Sequence, residues 1–478
     1  MGKKSITKNY IYNLIYQILV MILPLITVPY ISRVVGAEGI GIYSYTISIT
    51  TYFITFGSLG VALYGQREVA VNQDNKKKYS KLFYEINLLR LITLSISMIL
   101  FFLVFVLGNN QYSIYYKILL LEIFASIFDI SWFFQGHEDF KRTVIRNILV
   151  KLISIICIFI FVKSPSDVWI YLLIYTLSIL IGNLSLWLYL PQYLVKVDLK
   201  ELNLVQHIKP TIALFIPQIA VQVYTLLDKT MIGTIIADKS EVGYYDQAQK
   251  VIKLMLTIIT SMGTVMMPRV AYTYFKGDKE KVNKYINNSF KLVFMLSIPM
   301  IFGVFLIADQ FVPFFFGEGY ESVSLLMKVI SPILLFIGMS NVTGTQYLLA
   351  TKKTTKYTVS VICGAITNFI LNMLLIPNYG ALGASIGTVV AEFMVTFVQL
   401  LFVRKDIDII SQFKSSFIYI IASLIMFVVV YLIGLFMSNS LLSMIIQILV
   451  SFIIYFLILM LVKDEFIVSI KNRLLCRK

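Results

Sequence analysis

Histidine is nearly missing from this chain: there are two in 478 residues, His137 and His207. Both fall between apolar stretches, which excludes a histidine relay inside a membrane and leaves a membrane acyltransferase without its expected histidine. The three cysteines, Cys157, Cys363 and Cys476, are far apart in sequence and match no metal or redox spacing, so disulfides have no evident part. No glycine-rich nucleotide-binding loop occurs, which argues against direct coupling to ATP. Charged residues make up only 14% of the chain.

Apolar residues are abundant. They form 58% of the chain, against about 45–50% in a soluble domain, and the mean hydropathy is +0.83. The composition is that of an all-α integral membrane protein. A spanning helix needs about 20 apolar residues, and fourteen segments meet that measure: 10–32, 40–64, 82–107, 113–134, 144–162, 168–190, 210–236, 242–267, 287–308, 322–349, 356–376, 381–403, 413–437 and 441–462. Lys3, Lys4 and Lys8 precede the first in the manner of a signal peptide. That segment is too long for one and no small-residue cleavage site follows, so it is expected to remain as the first span.

The net charge of +16 suggests nucleic acid until the charges are placed. The N-terminal stretch, every second loop and the C-terminal tail carry 30 basic residues, whereas the alternate loops carry four: Arg33, Lys117, Lys163 and Lys239. The positive-inside rule then puts both termini in the cytoplasm of a multi-pass cell-membrane protein, which requires an even number of spans. The partner of this charge is the bilayer, not nucleic acid.

The chain also repeats itself. Residues 37–70 and 239–271 align at an offset of 202, which sets Gly41 on Gly243, Tyr43 on Tyr245, Thr55 on Thr257 and Arg67 on Arg269. Polar stripes superimpose as well: Ser44, Ser48, Thr51, Thr55 and Ser58 correspond to Asp246, Lys250, Lys253, Thr257 and Thr260. Spans 1–6 and 7–12 would form two parallel six-helix repeats, with lobes at 1–207 and 208–405. The pair of spans in 406–462 and a basic tail at 463–478 stand outside the repeat.

Within the seventh segment, Gln218, Gln222, Thr225 and Lys229 recur at i, i+4, i+7 and i+11 and so share one face. Asp228 points about 100° away and should have a different partner. A charge at the bilayer centre costs about 2.5–3.5 kcal/mol. Lys229 could snorkel to the interface, and the Ser/Thr stripes could be helix–helix contacts. The combined stripe on spans seven and eight is better explained by a water-filled cavity with cationic walls. Such a cavity would hold an anion, phosphate foremost. Glu122, Asp129, Asp228 and Glu392 are the carboxylates to carry a coupling ion or to form ion pairs. Glu122 and Asp129, seven apart on span four, could serve either purpose, with Arg90 or Lys151 as partners. Pro24, Pro29, Pro217, Pro299 and Pro332 interrupt spans and are candidate kinks.

The ordered set LPLITVPYISRVVGAEGIGIYSY, GQREVA, FDISWFFQGHEDFK, FIPQIAVQVYTLLDKTMIG, MMPRVA and LNMLLIPNYGALGASIGT resembles the Wzx-type polysaccharide flippases. These belong to the superfamily that also holds the MATE exporters and the lipid II flippases. The resemblance implies two lobes around a central cationic cavity. It also implies alternating access that carries an undecaprenyl-diphosphate-linked oligosaccharide to the outer leaflet. By position, the candidates for holding the headgroup are Arg33, Arg67, Arg90, Lys229, Lys250, Lys253, Arg269, Lys291 and Lys328. Arg67 and Arg269 end their spans on the cytoplasmic side and have a second reading as positive-inside anchors. No cofactor is implied beyond a possible proton or sodium gradient, and a polysaccharide polymerase is the expected downstream partner. Fourteen apparent spans stand closer to the lipid II flippases than to the twelve described for many O-antigen flippases.

Three rivals remain at this stage. A drug exporter of the same superfamily would favour carboxylates in the cavity. A membrane polymerase would need an outward platform, yet the longest outward loop, 309–321, has only about 13 residues. A scaffold for envelope assembly is compatible with the same composition.

Overall fold

The computed structural model describes residues 6–108, 111–438 and 440–464, and every element among them is helical. In order these are α1 (Ile6–Ser58), α2 (Val61–Val71), α3 (Lys76–Phe101), α4 (Ser113–Ile127), α5 (Ser131–Gly136), α6 (Phe140–Phe161), α7 (Val168–Trp187) and α8 (Val205–Ile235). There follow α9 (Ser240–Phe275), α10 (Lys279–Phe316), α11 (Glu321–Ile330), α12 (Ile333–Ser340), α13 (Thr354–Val403), α14 (Ile409–Gly434) and α15 (Leu441–Leu461). Eleven helical stretches among the described residues are long and apolar enough to cross a membrane, so this is a multi-pass membrane protein.

The fourteen apolar segments are mostly helical, though not one to a helix. The first lies on α1 and the second runs from α1 into α2; α1 is broken at Gly36, where φ is 76° and ψ is 172°. Segments 356–376 and 381–403 lie on α13, broken at Gly380 with φ 51° and ψ −129°. L-residues rarely adopt these backbone angles, so a glycine marks each junction. The prolines behave differently. Pro24 and Pro29 remain inside α1 and Pro299 inside α10, while Pro332 stands at the break between α11 and α12. The Pro217 side chain, like that of Gln218, lies outside the described residues, as do residues 465–478 of the tail.

By packing, the chain forms two units, the first ending at Gly243 and the second starting at Tyr244. The repeat would open its second copy near residue 208, yet α8 packs against α1 inside the first unit. The reason is visible in the side chains. Ser48 Oγ and Thr230 Oγ1 lie 3.0 Å apart, and the rings of Phe56 and Phe215 meet edge to face at 6.0 Å. This unit holds an aromatic core in which Tyr64, Phe83, Trp132 and Phe133 are buried. There Glu85 Oε2 lies 2.9 Å from His207 Nε2, and Tyr64 Oη lies 2.8 Å from His207 Nδ1. The buried histidine therefore ties the start of α8 to α3 and α2.

In the second unit, α10 packs on α11, α12, α14 and α15. Tyr455 of α15 donates a hydrogen bond to the Met295 carbonyl of α10 at 2.8 Å, so the last helix is fixed to the unit by a buried polar contact. The outer faces of α14 and α15 stay apolar: Phe417 is 63% exposed and Phe452 equally so. Side chains of that kind suit contact with lipid.

Candidate functional site

Four of the nine basic residues singled out in the sequence, Arg67, Arg90, Lys250 and Lys328, are seated beside a carboxylate. In the first unit, Arg90 of α3 is only 4% exposed. Its Nη1 donates to the Asp129 carbonyl at 2.9 Å, and its Nη2 lies 3.6 Å from Asp129 Oδ2. Asp129 is therefore an ion-pair partner. It does not share a helical face with Glu122, because α4 ends at Ile127 and Asp129 sits in the break before α5. There its Oδ1 accepts the Ser131 amide at 3.0 Å. This bond to the amide two residues on is an Asx turn that leads into α5, a helix start the sequence did not show.

Glu122 has other company. It is buried, and Tyr175 Oη donates to its Oε1 at 3.2 Å. The Tyr43 and Tyr171 rings lie tilted with centroids 4.6 Å apart nearby, and Tyr43 is edge-on to Tyr175 at 5.9 Å. Asp228 and Lys229 differ as the helical geometry requires: Asp228 is buried and Lys229 is partly buried, one residue along α8. Gln222 is partly buried on the same helix. The polar stripe on α1 serves in part as packing, since Ser44 and Ser48 are buried and Ser48 meets Thr230. Arg33 is exposed on α1. Arg67 is exposed too, paired with Glu68 at 2.8 Å and lying over the Tyr64 ring at 5.6 Å.

In the second unit, Lys250 Nζ lies 2.6 Å from Asp246 Oδ2, one turn earlier on α9. Lys253 and Arg269 are exposed on the same helix. Lys291 of α10 and Glu392 of α13 are partly buried. Lys328 of α11 reaches Asp309 Oδ2 of α10 at 2.6 Å. Buried neutral groups form a separate network: Thr343 donates to Gln399 Oε1 at 2.6 Å, and Gln399 Nε2 donates to Ser360 at 3.0 Å. Among the described residues no group of three or more His, Cys, Asp or Glu is placed to hold a metal.

One pocket of the first unit was not foreseen. About 400 Å³ lies between α1, α6 and α7, with Arg146, Lys151, Tyr171, Tyr175 and Asn183 in its wall. A signal for it was present. Tyr171, Tyr175, Ser178 and Gly182 recur at i, i+4, i+7 and i+11, the same spacing that marked the stripe on the seventh segment. Arg146 stands inside α6.

Fold and side chains together define a multi-span helical membrane protein of the transporter class, with basic residues held inside apolar helices. The chain belongs to the family described as "Polysaccharide biosynthesis protein", whose model matches residues 6–274. A model for the MatE family also matches, over residues 213–374. The chain is thus a Wzx-type member of the superfamily that includes the MATE transporters. It is 24% identical to a protein named "Putative O-antigen transporter" in Escherichia coli, over 85% of this chain and 98% of that one. It is also 24% identical to the capsular polysaccharide biosynthesis protein CapF of Staphylococcus aureus, over 81% of this chain and 96% of that one. Among solved structures, a lipid II flippase in an inward closed conformation superimposes with a TM-score of 0.78 at 18% identity, covering 96% of this chain and all of that one.

Proposed function

We propose that this protein is a flippase that moves an undecaprenyl-diphosphate-linked oligosaccharide from the inner to the outer leaflet, for export of a cell-surface polysaccharide. The observation that carries this reading is the retention of cations within apolar helices of a polysaccharide-biosynthesis family member. Arg90 is nearly fully buried and Lys229, Lys250, Lys291 and Lys328 are partly so. Such positions are costly and are kept where a pathway needs them. A diphosphate is the anion that suits them best, because each oxygen accepts charge-assisted bonds from lysine and arginine.

The relatives support the same direction, since their names concern O-antigen transport and capsular polysaccharide. Transport needs binding that differs between inward- and outward-open states. In this reading Arg33, Arg67, Arg90, Lys229, Lys250, Lys253, Arg269, Lys291 and Lys328 supply the charge, and Gln218 and Gln222 contact the sugar. Asp129 is assigned to pairing with Arg90, and Glu122, Asp228 and Glu392 remain the carboxylates open to a coupling proton or sodium ion. The protein would sit in a bacterial cell membrane with both termini in the cytoplasm and hand its cargo to a polysaccharide polymerase. No chemical conversion of the cargo is part of this function.

Charge reversal tests it in cells. Lys229→Glu, Lys250→Glu and Lys253→Glu are each expected to stop delivery of glycan to the outer surface. Lipid-linked precursor should accumulate inside while protein level holds. Normal delivery by all three variants would refute the cationic path.

A further inference from the structure

We propose that the pocket between α1, α6 and α7 binds the phosphate-bearing head of a lipid, with Arg146 and Lys151 contacting the phosphate. It lies wholly within the first unit, and its residues are separate from those assigned above to the cargo path. Two cations stand in its wall and no carboxylate does. Arg146 is built in rather than loosely placed. Its Nη1 donates to Asn183 Oδ1 at 3.1 Å, and Asn183 Nδ2 donates in turn to the Ala125 carbonyl at 2.8 Å. That chain of bonds fixes the guanidinium through α7 to α4.

Gly182 makes room beside it. A methyl group there would lie 3.4 Å from Arg146 Nη1 and 3.6 Å from its Cδ, so any larger side chain would fill the space next to the guanidinium. Lys151 follows five residues later on the same helix and adds a second point charge. Ser154, Ser178, Tyr171 and Tyr175 line the same wall, where the Ser154, Ser178 and Tyr175 hydroxyls donate to the Lys151 carbonyl, the Tyr175 carbonyl and Glu122 and would have to turn to meet an anion. The rest of the wall is apolar, including Leu23, Val150, Ile155, Ile158 and Ile179. A pocket with a cationic, hydroxyl-rich side and an apolar side fits an amphipathic anion. At about 400 Å³ it holds a head and the start of a chain, not a whole oligosaccharide. On the same helix, Ile153, Ile156 and Ile160 are exposed and suited to lipid, so amphipathic anions of the bilayer are the ligands at hand.

Two lipids share this chemistry. One is the polyprenyl diphosphate carrier of the cargo, and that source rests on the proposed function. The other is a resident anionic phospholipid. The test uses the purified full chain in phosphatidylcholine nanodiscs, titrated separately with undecaprenyl diphosphate and with phosphatidylglycerol, and read by native mass spectrometry. Lys151→Gln and Gly182→Leu should each weaken binding of the preferred lipid about tenfold, the loss expected for one charge-assisted contact. Lys151→Arg should remain within about threefold, and Lys117→Gln, which removes an exposed charge on α4, should match the unaltered protein.

A preference for undecaprenyl diphosphate assigns the pocket to the carrier, and a preference for phosphatidylglycerol assigns it to a resident lipid. Unchanged binding of both probes in Lys151→Gln overturns the proposal, and so does an equal loss in Lys117→Gln. Should Gly182→Leu fail to fold, the comparison of Lys151→Gln with Lys151→Arg decides alone. Flipping assayed in vesicles separates the two claims. Unaltered protein that binds through this pocket without flipping refutes the flippase reading and leaves the pocket standing. Protein that flips while its pocket variants bind normally refutes only the pocket.

Discussion

Gly41 and Gly243, 202 positions apart, pack against each other reciprocally. A methyl group on Gly41 would overlap the Lys239 carbonyl, and one on Gly243 would overlap the Ala37 carbonyl. Ala37 and Lys239 are themselves separated by 202 residues. A Cβ built on either glycine would also lie 3.2 Å from the amide nitrogen of the other. Within the first unit, residues 37–41 and 239–243 therefore approach each other by the same contact in both directions, and the close backbone approach explains the glycine at each position.

The first prediction follows from that contact. Gly41→Ala and Gly243→Ala should each destabilise the protein by about 1–3 kcal/mol, the usual cost of overpacking. Gly303 of α10 has nothing within 4 Å of its would-be Cβ. Gly303→Ala should thus be neutral or stabilising, since alanine is the better helix former. Thermal unfolding of the purified variants in one detergent checks the ordering.

A second prediction concerns Arg90 and Asp129. Removing one member of a buried pair leaves a charge without its counter-charge, so Asp129→Asn, which strands the buried Arg90 guanidinium, should cost about 3 kcal/mol or more. Arg90→Gln should cost less, because the carboxylate it leaves behind is the more exposed member, at 31% against 5% for the side chains. The double variant should be less damaged than the sum of the two. A double-mutant cycle on thermal stability measures this coupling.

The third prediction is a pH dependence. Lys353 Nζ and Asp406 Oδ2 lie 2.6 Å apart in the turns that bracket α13. Partial burial opposes both charges, but the hydrogen bond and mutual attraction outweigh it. Asp406 is held below the ordinary carboxylate range, and Lys353 is raised above the ordinary lysine range. A lowered acid pKa stabilises above the unfolded value, about 4, and the gain is lost as pH falls through the folded value. A raised lysine pKa stabilises below about 10.4, and the gain is lost as pH rises through the folded value. Asp406→Asn should therefore lower stability by a roughly constant amount, about 0.5 kcal/mol for so exposed a pair, between about pH 5 and 9. Below about pH 4 the difference should shrink, and it should vanish once the pH is below the lowered folded value of Asp406. Melting curves of both proteins across that range give the answer.

Hydropathy carried the architecture further than it carried the site. Apolar length located the long helical stretches, because a bilayer sets a minimum length for each span, but it did not separate α2, α5 or α12 from their neighbours. The Gly41–Gly243 correspondence was legible as well, since it rests on identity at a fixed offset. Asp129 was not. Its role depends on a helix break three residues long, which apolar counting cannot register. Arg146 was passed over for a related reason: it sits near the start of segment 144–162, where a single basic residue reads as a flanking charge and its place in the wall of a pocket depends on packing that sequence does not show. The serines of α1 had two readings, and Ser48 took the packing one by meeting Thr230.

The central claim is that this protein moves a lipid-linked glycan across a bilayer. Its most direct measurement places the purified protein in vesicles carrying an undecaprenyl-diphosphate-linked oligosaccharide in both leaflets. A glycan-cleaving enzyme is added outside only. If the account is right, the cleaved fraction rises beyond the outer leaflet's share toward the whole pool, and Lys229→Glu abolishes the rise. If cleavage stops at the outer leaflet's share with correctly folded protein present, and no ion gradient changes that, the chain is not a flippase for this class of lipid.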